Sequence, residues 1–483
     1  MSAFGARVVL PDPVNRTASA FLAAAAIAAV MFGSIVAGHP LEGMLLIALV
    51  PLALAAPLAS FAVMLAATVL MPFDALNALS IGGGAGVPGL LPVDVLLGLG
   101  LGRVAFGVIR GRIQATTPML VAGVSLVALL AVLVHGVAAG ASVSDAGTEA
   151  RCLAFGVGSF IMAVPLLEDS RSRARLYRVL LLLGIALGLW GIAQVVLNVP
   201  YSNAGDVGVR PGIGQVASVG GGQLQGGLYA FPIAVVMAFA GLVCGASREL
   251  MVRWLLAGVF GLNCLCVLLT YERSVWAASL LGCLAVAMRA GRAAWPVAAR
   301  WSALGVAAVL AWAVVSPGAL TTSAGRITSI FSVQSDSSAQ SRAVESAAVL
   351  RAIRRSPVVG AGFGATLTWG GGNHAQFGET TTNFTHEGYL WLAWKAGVPF
   401  AVALVACLWF AALRRTRRTR DRALAALRAG CHAALLASLL VCLVFPEFNA
   451  LGVTALLGLL LAVCVARADY RGRSDTGGAS TTV

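Results

Sequence analysis

Residues 179–197 read VLLLLGIALGLWGIAQVVL, nineteen residues without a charged side chain. A helix of about 20 such residues crosses the hydrocarbon core of a bilayer. Similar runs recur along the whole 483-residue chain, which is 59% apolar and only 11% charged, whereas soluble proteins contain about 25% charged residues. The sequence therefore excludes a water-soluble enzyme, a coiled coil and a disordered protein. It predicts an all-α fold, a polytopic helical membrane protein.

Proline, glycine and arginine residues interrupt the apolar runs and limit the predicted spans. These spans cover roughly residues 17–37, 41–56, 57–73, 90–108, 116–135, 150–168, 176–197, 223–244, 253–271, 274–288, 296–316, 398–413, 429–448 and 450–466. The second and third are short and broken at Pro51 and Pro57, so they form either two spans or one re-entrant pair. We expect 12–14 transmembrane helices, in residues 1–316 and 398–466, with one large extracytoplasmic loop at 317–397.

The distribution of arginine sets the expected orientation, because cytoplasmic loops carry an excess of basic residues. The chain has 33 basic and 19 acidic residues and a net charge of +14. With the N-terminus inside, 24 of the 33 basic residues lie in inner segments, including a run of arginines at 414–428. That run is more typical of an inner membrane surface than of a lipid- or nucleic-acid-binding patch. We expect a bacterial plasma membrane protein with both termini in the cytoplasm, a disordered tail at 467–483 and no nucleic-acid partner.

Two outer loops are long, at 198–222 and 317–397, and loops on a rigid scaffold often carry function. The shorter loop contains Asp206 and Arg210. In the longer loop, residues 338–355 are expected to form an amphipathic helix that ends before Pro357, with arginines in its last turn that suit the helix dipole. The expected apolar stripe of this helix consists of Val344, Ala347, Ala348 and Leu350.

Arg342 stands near the start of this helix, where the dipole disfavours a cation. Either an anionic ligand or an ion pair with Glu345 accounts for its position. The GAGFG segment at 360–364 is compatible with an anion-binding nest and with an ordinary tight turn. A P-loop is excluded, because the one lysine of the chain, Lys395, does not follow a glycine.

The end of the long loop, residues 383–399, reads NFTHEGYLWLAWKAGVP. It predicts a short interfacial helix at 386–396, with Trp and Tyr in the aromatic belt of the membrane surface. His386 has either a structural or a functional role there. Arg273 is a second candidate, because an arginine in an apolar hairpin is unfavourable unless it serves a function. The alternatives for Arg273 are a contact with Glu272 or with a lipid headgroup.

Metal and disulfide chemistry is not indicated by the sequence. The nine cysteines are mostly solitary within apolar runs, without a CxxC pair or a His/Cys cluster, so we expect them to be packing residues. The acidic residues near the outer face form no DxD or HExxH pattern; they are Asp94, Asp145, Glu149, Glu379 and Glu447. We therefore expect neither a metal ion nor another cofactor.

The motifs between about residues 270 and 410, taken in order, resemble the O-antigen ligase and O-antigen polymerase superfamily of envelope glycosyltransferases. They are the hairpin arginine Arg273, Arg342 in the loop helix, PVVGAGFG at 357–364, and the segment from His386 to Pro399. The resemblance implies a fold related to polyprenyl-dependent membrane glycosyltransferases. It also implies a polyprenyl-diphosphate-linked oligosaccharide as donor, and a glycan, lipid or protein acceptor. Ligase and polymerase are not separated by the sequence.

The resemblance and the chemistry of the side chains suggest the same roles. Arg273, Arg342 and Arg326 are expected to bind the diphosphate, because guanidinium is planar and always charged. His386 is the candidate general base on the acceptor hydroxyl, since imidazole titrates near neutral pH, and Glu387 is expected to orient or assist it. The candidate acceptor contacts are Asp206, Arg210 and Tyr389.

A transporter or flippase of the same lipid-linked glycan is the alternative from a different class. It requires a charged cavity across the membrane. Here the polar groups crowd one face and, apart from Lys395 at the interface, the middle of each span contains almost no charge. A structural scaffold is a third interpretation, which the long loop with its arginines and histidine disfavours.

Overall fold

The computed structural model describes most of the chain between residues 50 and 466. The described residues are 50–71 without 52 and 54, then 76, 79–80, 89–197, 209–210, 223–224, 229–315, 337–371, 374–415, 419 and 421–466. The first predicted span, the predicted tail at 467–483, Asp206 and Arg326 lie outside these residues. The helices are α1 (Pro57–Leu70), α2 (Pro92–Ile109), α3 (Thr117–Ala138), α4 (Val143–Leu166), α5 (Ser170–Val196), α6 (Ala230–Val243), α7 (Leu250–Leu269), α8 (Arg273–Ala290), α9 (Trp295–Val315), α10 (Ser337–Arg355), α11 (Gly388–Ala396), α12 (Val398–Leu413), α13 (Arg422–Val441) and α14 (Leu451–Val465).

Six of these helices are long and apolar enough to cross a membrane, namely α2, α3, α4, α5, α7 and α13. Four further apolar helices are shorter: α1, α6, α12 and α14. α3 exposes Leu120, Val124, Val127 and Val134 at helical spacing, as expected for a face in contact with lipid. The prediction of an all-α polytopic membrane protein is confirmed.

The first residues of the helices coincide with local capping residues more closely than with the first residues of the apolar runs. α1 begins at Pro57 with proline in its first turn, where its missing N–H has no consequence. α4 begins at Val143 after Ser142, and α13 begins at Arg422 after Asp421, each with a side chain that accepts backbone N–H groups. Both helices therefore start seven residues before the span expected from hydropathy, because the cap and not the first apolar residue initiates a helix.

The helix α6 lies at the centre of the bundle. All of its residues from Ala230 to Val243 are buried, and it packs against α5, α7, α8, α9 and α13. A helix that is apolar on all sides is expected in such a position. Beside this centre, α4 and α14 approach closely where Gly458 meets the backbone of Gly156, as small residues allow in membrane bundles.

The large loop contains more regular structure than predicted. α10 is one residue longer than the expected 338–355, and α11 lies within the expected 386–396. Between them, β3 (Leu367–Gly371) and β4 (His374–Thr382) form an antiparallel hairpin that the apolar pattern does not predict, with a bulge at Gly370 and Gly371. β1 (Val209–Arg210) in the shorter loop pairs in antiparallel register with β2 (Gln223–Leu224), which occupies the first residues of the span expected at 223–244.

The predicted apolar stripe of α10 is wrong in part. Ala348, Val349 and Ile353 are buried, whereas Ala347 and Leu350 are exposed. The helix is therefore rotated by part of a turn relative to the prediction, because its polar residues near the start also face the protein.

The predicted aromatic belt of α11 is also corrected by the structure. Trp391 and Trp394 are only 0% and 2% exposed, so they lie inside the protein and not at a lipid surface. The ring of Phe363 stacks on Trp391 with the centroids 6.2 Å apart. α11 is thus held by packing against the rest of the protein and does not lie in the membrane interface.

Candidate functional site

One face of α10 carries the polar residues that meet the end of the large loop. Arg342, Glu345 and Ser346 are spaced i, i+3 and i+4, so their side chains share a face of the helix. The same face continues with Val349 and Ile353, which are buried. α10 packs against β3 and α11. The apolar half of the helix therefore fixes the position at which the polar half meets the segment before α11.

His386 is oriented by Glu345. Its Nδ1 lies 2.7 Å from Glu345 Oε2, and its backbone N–H donates to the same oxygen at 3.4 Å. The Glu345 side chain is 2% exposed and that of His386 is 37% exposed. An ionised carboxylate at Glu345 only accepts, so it selects the tautomer of a neutral imidazole that carries the proton on Nδ1 and leaves Nε2 as the basic nitrogen. The Phe384 ring lies edge-on to the imidazole with the centroids 5.3 Å apart, so the ring of His386 is oriented as a general base requires.

Glu387 is held by a different contact from the one expected. Its Oε1 accepts a hydrogen bond from the Ser346 hydroxyl at 2.8 Å, while His386 is engaged by Glu345. The orienting carboxylate is therefore Glu345 and not Glu387. Glu387 instead links the start of α11 to α10.

Arg342 is placed on an aromatic ring. Its guanidinium lies 5.2 Å from the centroid of Phe445, and Phe445 packs against Tyr229 at 5.4 Å. The expected alternative, an ion pair with Glu345, is not formed, because that carboxylate contacts His386. Among the described residues Arg342 forms no ion pair, so the ring fixes the guanidinium while its N–H edge stays available to an anion.

Arg273 begins α8 at the same end of the bundle. Tyr271, two residues earlier, is buried, and it is the one residue other than glycine with a positive φ (+50°) in the described part of the chain. Burial raises the pKa of its hydroxyl. Such a conformation is uncommon for a bulky residue and marks a constrained turn. Five residues after Arg273, Ala278 packs in one small apolar cluster with Phe445, which places Arg273 at the end of the bundle that carries Arg342.

The Gly loop, residues 360–364, is shaped by close packing. Gly360, Gly362 and Gly364 have φ values of +74°, +84° and +77°, a region that favours glycine. A Cβ on Gly362 would collide with the backbone of Gly136 at the end of α3. The glycines therefore allow the loop to lie directly on the bundle.

The amides of the Gly loop are used by the protein itself. Ala361 and Gly362 donate to two carbonyl groups of α11 at 2.7 and 2.9 Å. Gly364 donates to a carboxylate oxygen of Glu149 at 2.8 Å. The anion in this nest is thus the protein's own Glu149 carboxylate, and the interpretation as a ligand nest is wrong.

The remaining predicted residues are less close to this chemistry. The Tyr389 hydroxyl donates to the Leu439 carbonyl at 2.5 Å and accepts from Trp409 Nε1 at 3.1 Å, so its polar atom is engaged inside the protein. For Arg210 only the backbone, in β1, is described. Asp206 and Arg326 lie outside the described residues, and their roles stay predictions.

Glu345, Ser346, Glu149 and Phe445 join the site without having been predicted in these roles. Glu345 was detectable, since it lies three residues after Arg342 on the same helical face. Glu149 and Phe445 come from distant segments, and no local pattern indicates them. Across the residues that the structure covers, no group of three or more His, Cys, Asp or Glu side chains is arranged to hold a metal ion.

Residues 256–403 match the family model described as O-antigen ligase (Wzy_C). The matched segment runs from α7 to α12 and includes Arg273, Arg342, Glu345 and His386. No curated protein and no solved structure matches the chain. The resemblance drawn from the motifs at about 270–410 is confirmed, because residues 256–403 of this membrane protein match the O-antigen ligase family model.

Proposed function

We propose that the protein moves a glycan from a polyprenyl diphosphate carrier to an acceptor hydroxyl at the extracytoplasmic face of the membrane. The observation that carries the proposal is the contact of His386 with the buried Glu345, one helical turn from Arg342, inside the family-matched segment. An oriented base and a fixed cation on one surface are the two groups that such a transfer requires.

In the proposed step, His386 Nε2 accepts the proton of the acceptor hydroxyl while the hydroxyl oxygen attacks the anomeric carbon. The new carbon–oxygen bond forms as the bond from that carbon to the diphosphate breaks. Polyprenyl diphosphate leaves with the electron pair. The Glu345 carboxylate stabilises the imidazolium that results. Attack opposite to the leaving group inverts the anomeric configuration.

The leaving diphosphate needs fixed positive charge in a site of low dielectric constant. Arg342, seated on Phe445, and Arg273 are the described residues assigned to this role, with Arg326 as a third. Guanidinium binds phosphate oxygens in pairs and keeps its charge at all relevant pH values. We propose that these arginines supply the charge without a metal ion, so activity should persist after treatment with a chelator.

The proposed orientation places both termini in the cytoplasm of a bacterial cell and the protein in its plasma membrane. It is supported by the 24 of 33 basic residues that fall in inner segments under the positive-inside rule. The end of the bundle that carries His386 then faces outward. A reporter that fluoresces only in the cytoplasm, fused after residue 483, is expected to be bright; a dark, well-expressed fusion contradicts the orientation.

The proposal is tested with purified protein, a chelator and a polyprenyl-diphosphate oligosaccharide from the host. A ladder of products indicates a polymerase, and one transfer to an added acceptor indicates a ligase. His386→Ala is expected to abolish transfer while donor binding persists. Arg342→Ala should weaken both, whereas Arg354→Ala, at an exposed position of the same helix, should not.

Two results would overturn these assignments. Turnover by His386→Ala at the wild-type rate removes the base. Donor that is bound but never consumed, with glycan, lipid and protein acceptors all present, removes the transferase and favours a transporter of the same lipid-linked glycan.

A further inference from the structure

A buried ion pair joins the large loop to the helix bundle. Lys395 Nζ donates to Glu149 Oε1 at 2.9 Å and to the Ala365 carbonyl at 2.6 Å. The other carboxylate oxygen of Glu149 accepts from the Gly364 N–H at 2.8 Å. The Lys395 and Glu149 side chains are 0% and 2% exposed, and Nζ lies 4.2 Å from the Trp394 ring centroid. Burial lowers the pKa of Lys395, and the nearby Glu149 carboxylate opposes that effect.

The pair lies where three separate segments meet. Glu149 belongs to α4, one of the candidate membrane-spanning helices, and Lys395 lies near the end of α11. The Gly loop, which follows α10, lies between them. α10 carries Glu345, and α11 starts two residues after His386. Glu345 thus lies in the helix before the Gly loop, and His386 lies just before the helix that carries Lys395. The pair therefore fixes both of the segments that supply the His386–Glu345 contact.

The hydrogen bonds of the pair are directional. Glu149 accepts from a loop amide, and Lys395 donates to a loop carbonyl. If the charges of Glu149 and Lys395 were exchanged, an ammonium group would face the Gly364 N–H and a carboxylate would face the Ala365 carbonyl. A buried ion pair often adds little net stability compared with apolar residues. Its presence beside a membrane span is more readily explained by selection of one loop arrangement.

We propose that Glu149 and Lys395 are positioning residues that dock the Gly loop and α11 on α4, and so bring His386 to Glu345. The catalytic consequence rests on the proposed function. The docking itself is testable without any substrate.

Lys395 is the one lysine of the chain, so an amine-acylating reagent reports on it and the N-terminus alone. In detergent-solubilised wild-type protein, we expect residue 395 to resist acylation, as measured by peptide mass spectrometry against a denatured sample. Glu149→Gln is expected to speed acylation at least about tenfold, because a buried charge without its partner favours local opening. Glu379→Gln, the same change at an exposed position of β4, is expected to have no effect.

Fast acylation of the wild type, or equal protection in Glu149→Gln, overturns the docking role. If Glu149→Gln does not fold, Glu149→Asp gives the same test, because it keeps the charge but shortens the reach to both loop partners. Protection of Glu149→Asp at the wild-type level also overturns it.

Activity then separates positioning from stability alone. Glu149→Gln and Lys395→Met are each expected to lower kcat at least about tenfold well below the unfolding temperature, with KM for the donor within about twofold. The double variant should be no worse than either single variant, because the two residues act as one unit, and the exchange Glu149→Lys with Lys395→Glu should not rescue. Wild-type kcat in the single variants overturns positioning. An inactive wild type overturns the proposed function but leaves the acylation result intact.

Discussion

Replacement of Glu345 by Gln tests the proposed base most directly. Gln has nearly the same volume as Glu, so the buried face of α10 is kept. The charge that stabilises an imidazolium is lost. The amide can also meet the imidazole in two orientations. In one, its oxygen still accepts from Nδ1–H of His386. In the other, its NH₂ group donates to Nδ1 and selects the tautomer in which Nε2 carries the proton and cannot act as a base.

The magnitude follows from the contact. A hydrogen bond to a charged group contributes about 1.5–3 kcal/mol, and the His386–Glu345 contact, at 2.7 Å, is of this kind. Each 1.4 kcal/mol changes a rate about tenfold, which gives about a 10- to 150-fold loss. Because the His386 side chain is 37% exposed, solvent partly screens its interaction with Glu345. We therefore expect kcat to fall by about 10- to 50-fold.

The assay is steady-state transfer from a polyprenyl-diphosphate oligosaccharide, with kcat and KM for the donor measured separately. KM should change little, because Glu345 contacts the base and not the arginines. Glu379→Gln makes the same chemical change at an exposed position of the same loop and serves as the control. A Glu345→Gln enzyme with kcat within twofold of the wild type would refute the orientation of His386 by Glu345.

Three further predictions concern the arginine, a buried acid and the Gly loop. Arg342→Lys keeps the charge but loses the planar fork, so donor KM should rise about tenfold; an unchanged KM in donor titrations contradicts phosphate binding. Burial raises the pKa of Glu447 well above its ordinary value, so the stability that its protonated form contributes is present below the unfolded-state pKa and lost as pH rises through the folded-state pKa. Glu447→Gln should therefore show a melting temperature that falls less between pH 5 and 9 than that of the wild type, and parallel curves refute this. Gly362→Ala should destabilise the protein by about 2–4 kcal/mol, because the new methyl meets the Gly136 backbone at a positive φ; Gly111→Ala, with positive φ but open space, should lower the melting temperature much less.

The membrane class, the loop helix and the importance of Arg342 depend on residues that are close together in the sequence, and the sequence predicts them well. Apolar length fixed the membrane class, and the loop helix at 338–355 was correct to one residue, because helical period and Pro357 act locally. Arg342 was singled out by its unfavourable position relative to the dipole of that helix. These inferences needed no knowledge of distant contacts.

The contacts of the candidate site that the sequence does not predict join distant segments. Glu345 and His386 are 41 residues apart, and Glu149 and Gly364 are 215 apart. A glycine-rich loop has the same sequence whether its amides bind a ligand or a carboxylate from the bundle. Similarly, Trp391 has the same neighbours in sequence whether it faces lipid or protein, and only the docking of α11 buries it.

The charges on one turn of α10 show why this arrangement favours group transfer over a structural role. Had Glu345 paired with Arg342, the cation would be neutralised and His386 would lack an orienting partner. Instead the carboxylate is buried against the imidazole, and the guanidinium rests on an aromatic ring that does not cancel its charge. In the proposed transfer, the negative charge would stabilise the imidazolium that forms on His386, and the positive charge would be available to the departing diphosphate. A fold that needed only stability would pair the two adjacent charges, so their separation supports a transferase over a scaffold.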